Sequence, residues 1–371
     1  MSGSVGRDAE RGTWYFVLDA RTSAGKRKQV KRRGFARKRD AQDALDEMRR
    51  QMSTGRGLEP TSATVADLAA RWLDHLEHEN LKPTTRQGYR YAAQALVTHL
   101  GDVKLLDLRG EHLDGLYATL AHRSASRRRQ IHVTAHKMLG QAMRWRLVAY
   151  NAADDATAPA QSQPKPEAWT PAEVGRFLEV ARSDRWAALW LVFATTGMRR
   201  GEAVGLRWCD IDLDAGAVTI ARSVTVAQGA THVGTPKSGR ARTVSLDPAT
   251  VAALRSWKAQ QAAELLRLGE YRPEEDWVWT WPDGERVHPD VVTRTFRRLV
   301  QRAEVPRLRL HALRHAWATN ALALGVDVKD VATRLGHSST RITHDIYVAP
   351  SSQRDAEAAR AVADLYSTGG P

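Results

Sequence analysis

The sequence predicts a multidomain protein, mainly α with small β-sheets: an N-terminal β-sheet plus one helix, an all-helical middle, and a mixed α+β C-terminal part. Three observations predict it. Turn-forming and proline-rich stretches over 53–61 and 156–166 interrupt otherwise patterned sequence. Between them, apolar residues recur at helical spacing. Short runs of strand-like sequence occur only near the N-terminus and again beyond residue 216. With 371 residues, 42% hydrophobic and 26% charged, the chain has the length for two or three cores and a composition that excludes wholesale disorder or a fibre.

At the N-terminus, Trp14, Phe16 and Leu18 alternate with Tyr15, Val17 and Asp19, the period of a half-buried strand. Ala24-Gly25 offers a turn into a second strand around Lys28 to Arg33, and a third short strand includes Gly34-Phe35. Asp40-Ala41-Gln42-Asp43 caps a helix in which Ala41, Ala44, Leu45 and Met48 share a face. After the 53–61 break, Thr64 with Asp67 three residues on starts a helix with Val65, Leu68, Ala69, Trp72, Leu73 and Leu76 at helical spacing. Pro83 opens a second, and further helices are expected over 110–121 and 126–146. The sequence ATAPAQSQPKP over 156–166 reads as an extended linker. Thr170-Pro171-Ala172-Glu173 starts a third region, in which AALWLVFA over 187–194 is apolar on every face and so belongs in a core. Strand signals at 217–226 and 241–246 flank a Gly, Pro and Lys rich turn, and a helix is expected over 289–303.

Charge narrows the function. Lys plus Arg number 56 against 42 Asp plus Glu, a net charge of +14 that favours a polyanion, and nucleic acid foremost. Ten of those cations and no acid lie within 21–39, so Lys26, Arg27, Lys28, Lys31, Arg32 and Arg33 are candidate DNA contacts. Arg127, Arg128, Arg129, Lys137 and Arg144, with Arg146, form a second basic group on one expected helix. The single cysteine, Cys209, excludes an internal disulfide and a cysteine zinc site. No apolar run reaches the roughly 18 residues of a membrane span, and the N-terminus lacks a signal peptide's apolar core. A cytoplasmic protein with no membrane partner is expected.

Metal and nucleotide chemistry find little support. His311 and His315 lie four apart, with His337 or His344 available as a third ligand, but position 312 is Ala where a metalloprotease helix carries its glutamate base. Neither a Walker A loop nor a G-x-G-x-x-G run occurs, and no acidic cluster matches a magnesium-dependent nuclease. The expected metal site is none, and the expected cofactor is none.

What does occur is a cationic series: Thr196-Gly197-Met198-Arg199-Arg200-Gly201-Glu202, Lys237 in Pro236-Lys237-Ser238-Gly239, His311-Ala312-Leu313-Arg314-His315, Leu335-Gly336-His337, and Tyr347. In this order and spacing it resembles the tyrosine recombinases, specifically the phage and mobile-element integrases with an N-terminal arm-binding domain. The resemblance implies an arm-type DNA-binding domain over 1–58, a core-binding domain over 62–158, a linker over 159–167 and a catalytic domain over 168–371 with a C-terminal tail helix. It implies site-specific cutting and rejoining of DNA through a 3′-phosphotyrosyl intermediate and a Holliday junction, by a homotetramer bound to core and arm attachment sites on double-stranded DNA. An excision factor and a host DNA-bending protein are the accessory partners it leaves open.

The residue chemistry fits that family. Attack on a phosphodiester builds negative charge that fixed donors must meet, so Arg199 and Arg314 would clamp the non-bridging oxygens while His311 and His337 add hydrogen bonds. Lys237, by resemblance at the tip of a β-hairpin, would protonate the departing 5′ oxygen. Tyr347 would be the nucleophile, and since an ordinary tyrosine titrates near about 10 it needs such a cationic pocket. Glu202 would orient Arg199 rather than act as a base. Spacing in the family selects Arg199 over Arg200, and His315 and Tyr366 read as structural. The sequence departs from many relatives at Ala312 and in the Val-Ala-Pro that follows Tyr347. Two rivals share parts of the pattern: a type IB topoisomerase, which has no use for a separate arm domain, and a non-catalytic DNA-binding protein, which has no use for the full cationic series.

Overall fold

A computed structural model describes residues 3–8, 12–21, 27–53, 62–160, 167–267, 269, 276–337 and 339. The chain divides into two units, residues 1–163 and 164–371.

In the first unit, β1 (Gly3–Asp8), β2 (Thr13–Arg21) and β3 (Arg27–Phe35) form an antiparallel sheet in that order, and α1 (Lys38–Ser53) packs on it. Phe16, Leu18, Ala41 and Leu45 are buried between sheet and helix, ringed by Val5, Phe35, Ala44 and Met48. This corrects the expected strand order. The first strand, GSVGRD, carries one apolar residue and so has no legible alternation. Gly34-Phe35 does not start a strand of its own but ends β3. There the register shifts between Trp14 and Tyr15, and Gly34 takes φ +96° as the extra residue of a β-bulge. The helix starts at Lys38, two residues before the expected cap.

Four helices follow: α2 (Val65–Glu77), α3 (Pro83–Leu100), α4 (Gly110–Thr119) and α5 (Ala125–Arg144). Thr64 and Asp67 cap the first reciprocally, the Thr64 N–H donating to Asp67 Oδ2 at 2.8 Å and the Asp67 N–H to Thr64 Oγ1 at 3.3 Å. Leu68, Trp72, Ala93, Leu96, Ile131 and Met138 meet in their common core. The two later helices stop short of the expected 121 and 146, because Leu120 and Trp145 already serve as C-caps.

The second unit opens with α6 (Pro171–Ala181), α7 (Ala187–Thr196) and α8 (Arg200–Val204). A 3-10 turn at Trp208–Asp210 leads into β4 (Ile211–Asp212), β5 (Ala217–Ile220), β6 (Ser223–Ala227), β7 (Ala230–Gly234) and β8 (Arg242–Ser245). Helices α9 (Pro248–Arg267), α10 (Pro289–Arg302), α11 (His311–Ala323) and α12 (Val328–Leu335) follow. The core is aromatic: Trp169 and Phe296 lie 5.2 and 5.3 Å from Phe177, ring centre to ring centre, and α7 is buried at Leu189, Trp190, Val192 and Phe193.

Here too the strands differ from expectation. The run 217–226 breaks into β5 and β6, which join different sheets, β4-β5-β8 and β6-β7. Strand β7, ATHVG, is mostly exposed and so shows no apolar pattern. Helix α9 was not legible because its buried positions, Thr250, Leu254, Trp257 and Gln261, include two polar residues that interrupt the apolar stripe. Among the described residues, no helix is long and apolar enough to cross a membrane.

Candidate active site

Two helix ends build the site. Helix α7 ends at Gly197, φ +64°, where a Cβ would stand 2.6 Å from Leu335 Cδ2. Helix α12 ends at Gly336, φ +66°, where a Cβ would press on the Arg242 guanidinium at 2.9 Å. Only glycine enters this left-handed region cheaply, and here it also permits close approach. The last carbonyls of both helices are therefore left pointing at side-chain donors, at the negative ends of the helix dipoles.

Arginines take them up. Arg314, on α11, is only 2% exposed and donates from Nη1 to Gly197 O at 2.9 Å and from Nη2 to Leu335 O at 2.7 Å. Arg199 donates from Nη2 to Gly336 O at 3.4 Å. Arg334 donates to Thr195 O at 3.2 Å and Ser245 O at 2.9 Å, tying α12 to α7 and β8.

Glu202 stands behind Arg199 and is 1% exposed. Its Oε2 accepts from the Arg199 backbone N–H at 3.0 Å and its Oε1 from Arg199 Nη1 at 2.8 Å, while Arg242 donates to the same two oxygens at 3.2 and 2.7 Å. Burial works to raise the Glu202 pKa, but the Arg242 hydrogen bonds and charge, joined by those of Arg199, hold it below the ordinary carboxylate range. Arg200 points elsewhere, to Asp290 Oδ1 at 3.1 Å and Thr293 Oγ1 at 2.7 Å on α10.

The imidazoles complete the cluster. His311 begins α11 and meets His315 edge-to-face, their ring centres 4.7 Å apart. Burial, then His315, Arg314, Arg199 and His337, push His311 down to about 4; the residue keeps some contact with water, which screens part of this effect. His337, half-buried, is pushed down to about 4 by burial and by Arg314, Arg199 and Arg242. His315 is lowered by burial and Arg314. At neutral pH these rings are uncharged, each with one N–H to donate, beside guanidiniums that stay cationic. Such a pocket suits a tetrahedral or five-coordinate oxyanion. Among the described residues, no group of three or more His, Cys, Asp or Glu is placed to hold a metal ion.

The sequence pattern that defines the phage integrase family matches residues 168–354, just over half of the 371 residues. The chain belongs to the phage integrase family. A second pattern, that of an arm DNA-binding domain, matches residues 4–52. The ICEBs1 integrase of Bacillus subtilis is 23% identical over 86% of this chain and 88% of its own. A tyrosine recombinase XerC-like protein of Caldanaerobacter subterraneus is 28% identical, but the match spans only 54% of either chain. The fold is that of the Tn1549 transposon integrase solved with transposon right end DNA, with a TM-score of 0.69 at 18% identity over 81% of this chain and 99% of that one. A lambda integrase tetramer solved on a Holliday junction gives 0.59 at 17% identity over 94% and 96%. As a member of this family the chain is a tyrosine-type, site-specific DNA recombinase.

In this integrase-family chain the structure brings Arg199, Glu202, His311, Arg314 and His337 together from α7–α8, α11 and α12. It corrects the setting of Lys237. That residue is exposed in a turn closed by Gly239 N–H to Pro236 O at 3.0 Å, and the flanking strands β7 and β8 pair in different sheets, so it sits on a connection between sheets and not at a hairpin tip. Tyr347, His344, Tyr366, Lys26 and the whole tail lie outside the described residues.

Of the basic candidates, Arg27 and Lys28 lie on β3, and Lys31 lies over the Tyr15 ring at 4.1 Å on the sheet face opposite α1, where Arg33 pairs with Asp8 at 3.8 Å. Arg32 stands opposite Phe16, on the helix-side face, and is exposed. On α5, Arg127 stacks on Tyr91 at 4.2 Å, Lys137 bonds Tyr89 Oη at 2.5 Å, Arg129 bonds Pro159 O at 3.3 Å and Arg144 bonds Gln141; Arg128 is partly buried. Two features escaped the sequence reading. Arg242 has no motif of its own. The exposed Arg294, Arg297, Arg298 and Arg302 on α10, continued by Arg307 and Arg309 up to His311, were legible as i, i+3, i+4 spacing but lay outside the cationic series.

Proposed function

We propose that this recombinase cuts and rejoins DNA through a 3′-phosphotyrosyl intermediate. Tyr347 Oη, its phenolic proton released to solvent, attacks the scissile phosphorus, the bond to the 5′ oxygen breaks, and Lys237 delivers the proton that the departing oxygen needs. Arg199 and Arg314 take the non-bridging oxygens, and His311 and His337 donate from neutral rings. The covalent phosphotyrosine retains the free energy of the broken bond, so a 5′ hydroxyl from another duplex completes exchange by the reverse step.

The convergence of two guanidiniums and two uncharged imidazoles, with the cluster's carboxylate turned inward and neutralised, carries this reading. The arm-type domain over 1–58 engages a second DNA site, the 62–158 domain and α10 grip the core site, and 159–167 links them to the catalytic domain over 168–371. Four copies assemble on paired attachment sites, resolving a Holliday junction, to integrate and excise a phage or mobile element in the bacterial cytoplasm. An excision factor and a host bending protein set the direction. Incubating the chain with duplex copied from the junction of the element that encodes it tests the core of this: a covalent protein–DNA adduct is expected, absent with Tyr347→Phe. An adduct formed by Tyr347→Phe would remove that residue as nucleophile.

A further inference from the structure

We infer that Arg242 is a positioning residue for the strand-cleavage step, sharing the Glu202 carboxylate with Arg199 and tying the end of the Lys237 connection to the His337 helix end. The inference rests on the reaction proposed above.

The geometry sets Arg242 apart from Arg199. Its side chain is 9% exposed, against 23% for Arg199. All three of its nitrogens donate inward: Nε to Arg334 O at 2.8 Å, Nη1 and Nη2 as a fork to the two Glu202 oxygens. These three donors tie Arg242 to Glu202 and to the end of α12. Arg242 thus settles the charge on Glu202. Two guanidiniums share one carboxylate, so the triad keeps one net positive charge, and Arg199 is bound to Glu202 without being neutralised by it. With Arg242 gone, the buried carboxylate would have Arg199 as its cation and would draw that guanidinium into a closed pair, removing the charge a scissile phosphate must meet.

Arg242 also joins three parts of the sequence at one side chain. It starts β8, five residues after Lys237. Its Nε grips the end of α12, and its guanidinium lies against Gly336, the residue before His337. Through Glu202 it reaches Arg199. Lys237, Arg199 and His337 therefore share one anchor.

The test uses the full-length chain, a nicked duplex copied from the element junction, and single-turnover adduct formation. Arg242→Gln should slow adduct formation about 100-fold, the order of loss for a misplaced oxyanion donor, at a temperature where the variant is folded and with DNA affinity close to wild type. Adding Glu202→Gln to Arg242→Gln should slow it no further, because the carboxylate that captures Arg199 has then gone. Should Arg242→Gln not fold, Arg242→Lys carries the test, with slower cleavage at unchanged affinity expected because one ammonium cannot make the fork. Wild-type kinetics in the Arg242 variant, losses that multiply in the double variant, or a parallel loss of DNA binding would each overturn the inference. Failure of the wild-type chain to form any adduct would instead remove the proposed reaction.

Discussion

Arg314 donates to the carbonyl oxygen of Gly197 at 2.9 Å across 117 residues of sequence. A buried cation is thus held by main chain, at a point where the chain takes φ +64°. Gly197→Ala places a non-glycine residue in the left-handed region and a methyl 2.6 Å from Leu335 Cδ2. A stability loss of about 2 kcal/mol or more is expected by thermal or denaturant unfolding, and cleavage should fall further than stability does.

Arg314→Lys keeps the charge and loses the fork. Lysine cannot bond Gly197 O and Leu335 O together while facing a phosphate, so adduct formation should drop by about 100- to 1,000-fold with DNA affinity retained, measured by gel shift beside single-turnover cleavage.

Acid should destabilise the DNA-free chain through its histidines. His337 falls from 6.5 to about 4 on folding, so between those values the unfolded chain binds a proton that the folded chain does not. Stability is therefore full above that window and declines as pH falls through it. Melting temperatures at pH 7.5 and 5 check the slope, and His337→Gln should flatten it. His311 contributes in the same direction, reduced by its contact with water.

Lys237→Ala should cleave ordinary DNA poorly and recover on a 5′-bridging phosphorothiolate, whose thiol leaves without a proton donor. No recovery would take the general acid role from Lys237. Wild-type activity should persist in excess EDTA without nucleotide; loss that zinc or magnesium restores would bring a metal into the reaction.

Deleting residues 1–58 should spare cleavage of a core duplex and cripple recombination between two sites, since tethering raises the local concentration of the second contact. Phe16→Ala should do the same within the full chain, because losing a buried phenylalanine costs about 3–5 kcal/mol and few other large side chains fill that small core.

The helical parts of the fold were legible because their apolar faces and caps are local: Thr64 with Asp67 and Thr170 with Glu173 announce their helices within four residues. Strands were harder. Whether 217–226 is one strand or two depends on which sheet each half joins, which no local pattern carries. Each member of the cationic series stood out by its neighbours, as in His-x-x-Arg and Gly-His. Arg242 did not, since its importance lies wholly in contacts to Glu202 and Arg334, which are 40 and 92 residues away in sequence. The resemblance pairs Glu202 with Arg199, and folding adds a second guanidinium, that of Arg242, which no local pattern carries.

The bulge at Gly34 sets a counting rule for exchange of arm domains. By inserting one residue it reverses the parity of β3, so that Phe35 turns under the sheet to meet Phe16, ring centres 5.8 Å apart, although Lys31 and Arg33 face the other way. A regular strand of the same length would put Gly34 opposite Trp14 and send the aromatic ring to the other face of the sheet. Chimaeras that graft another chain's strands onto this one must therefore keep Phe16 and Leu18 in the core and carry the Gly34 bulge, with the junction after Phe35.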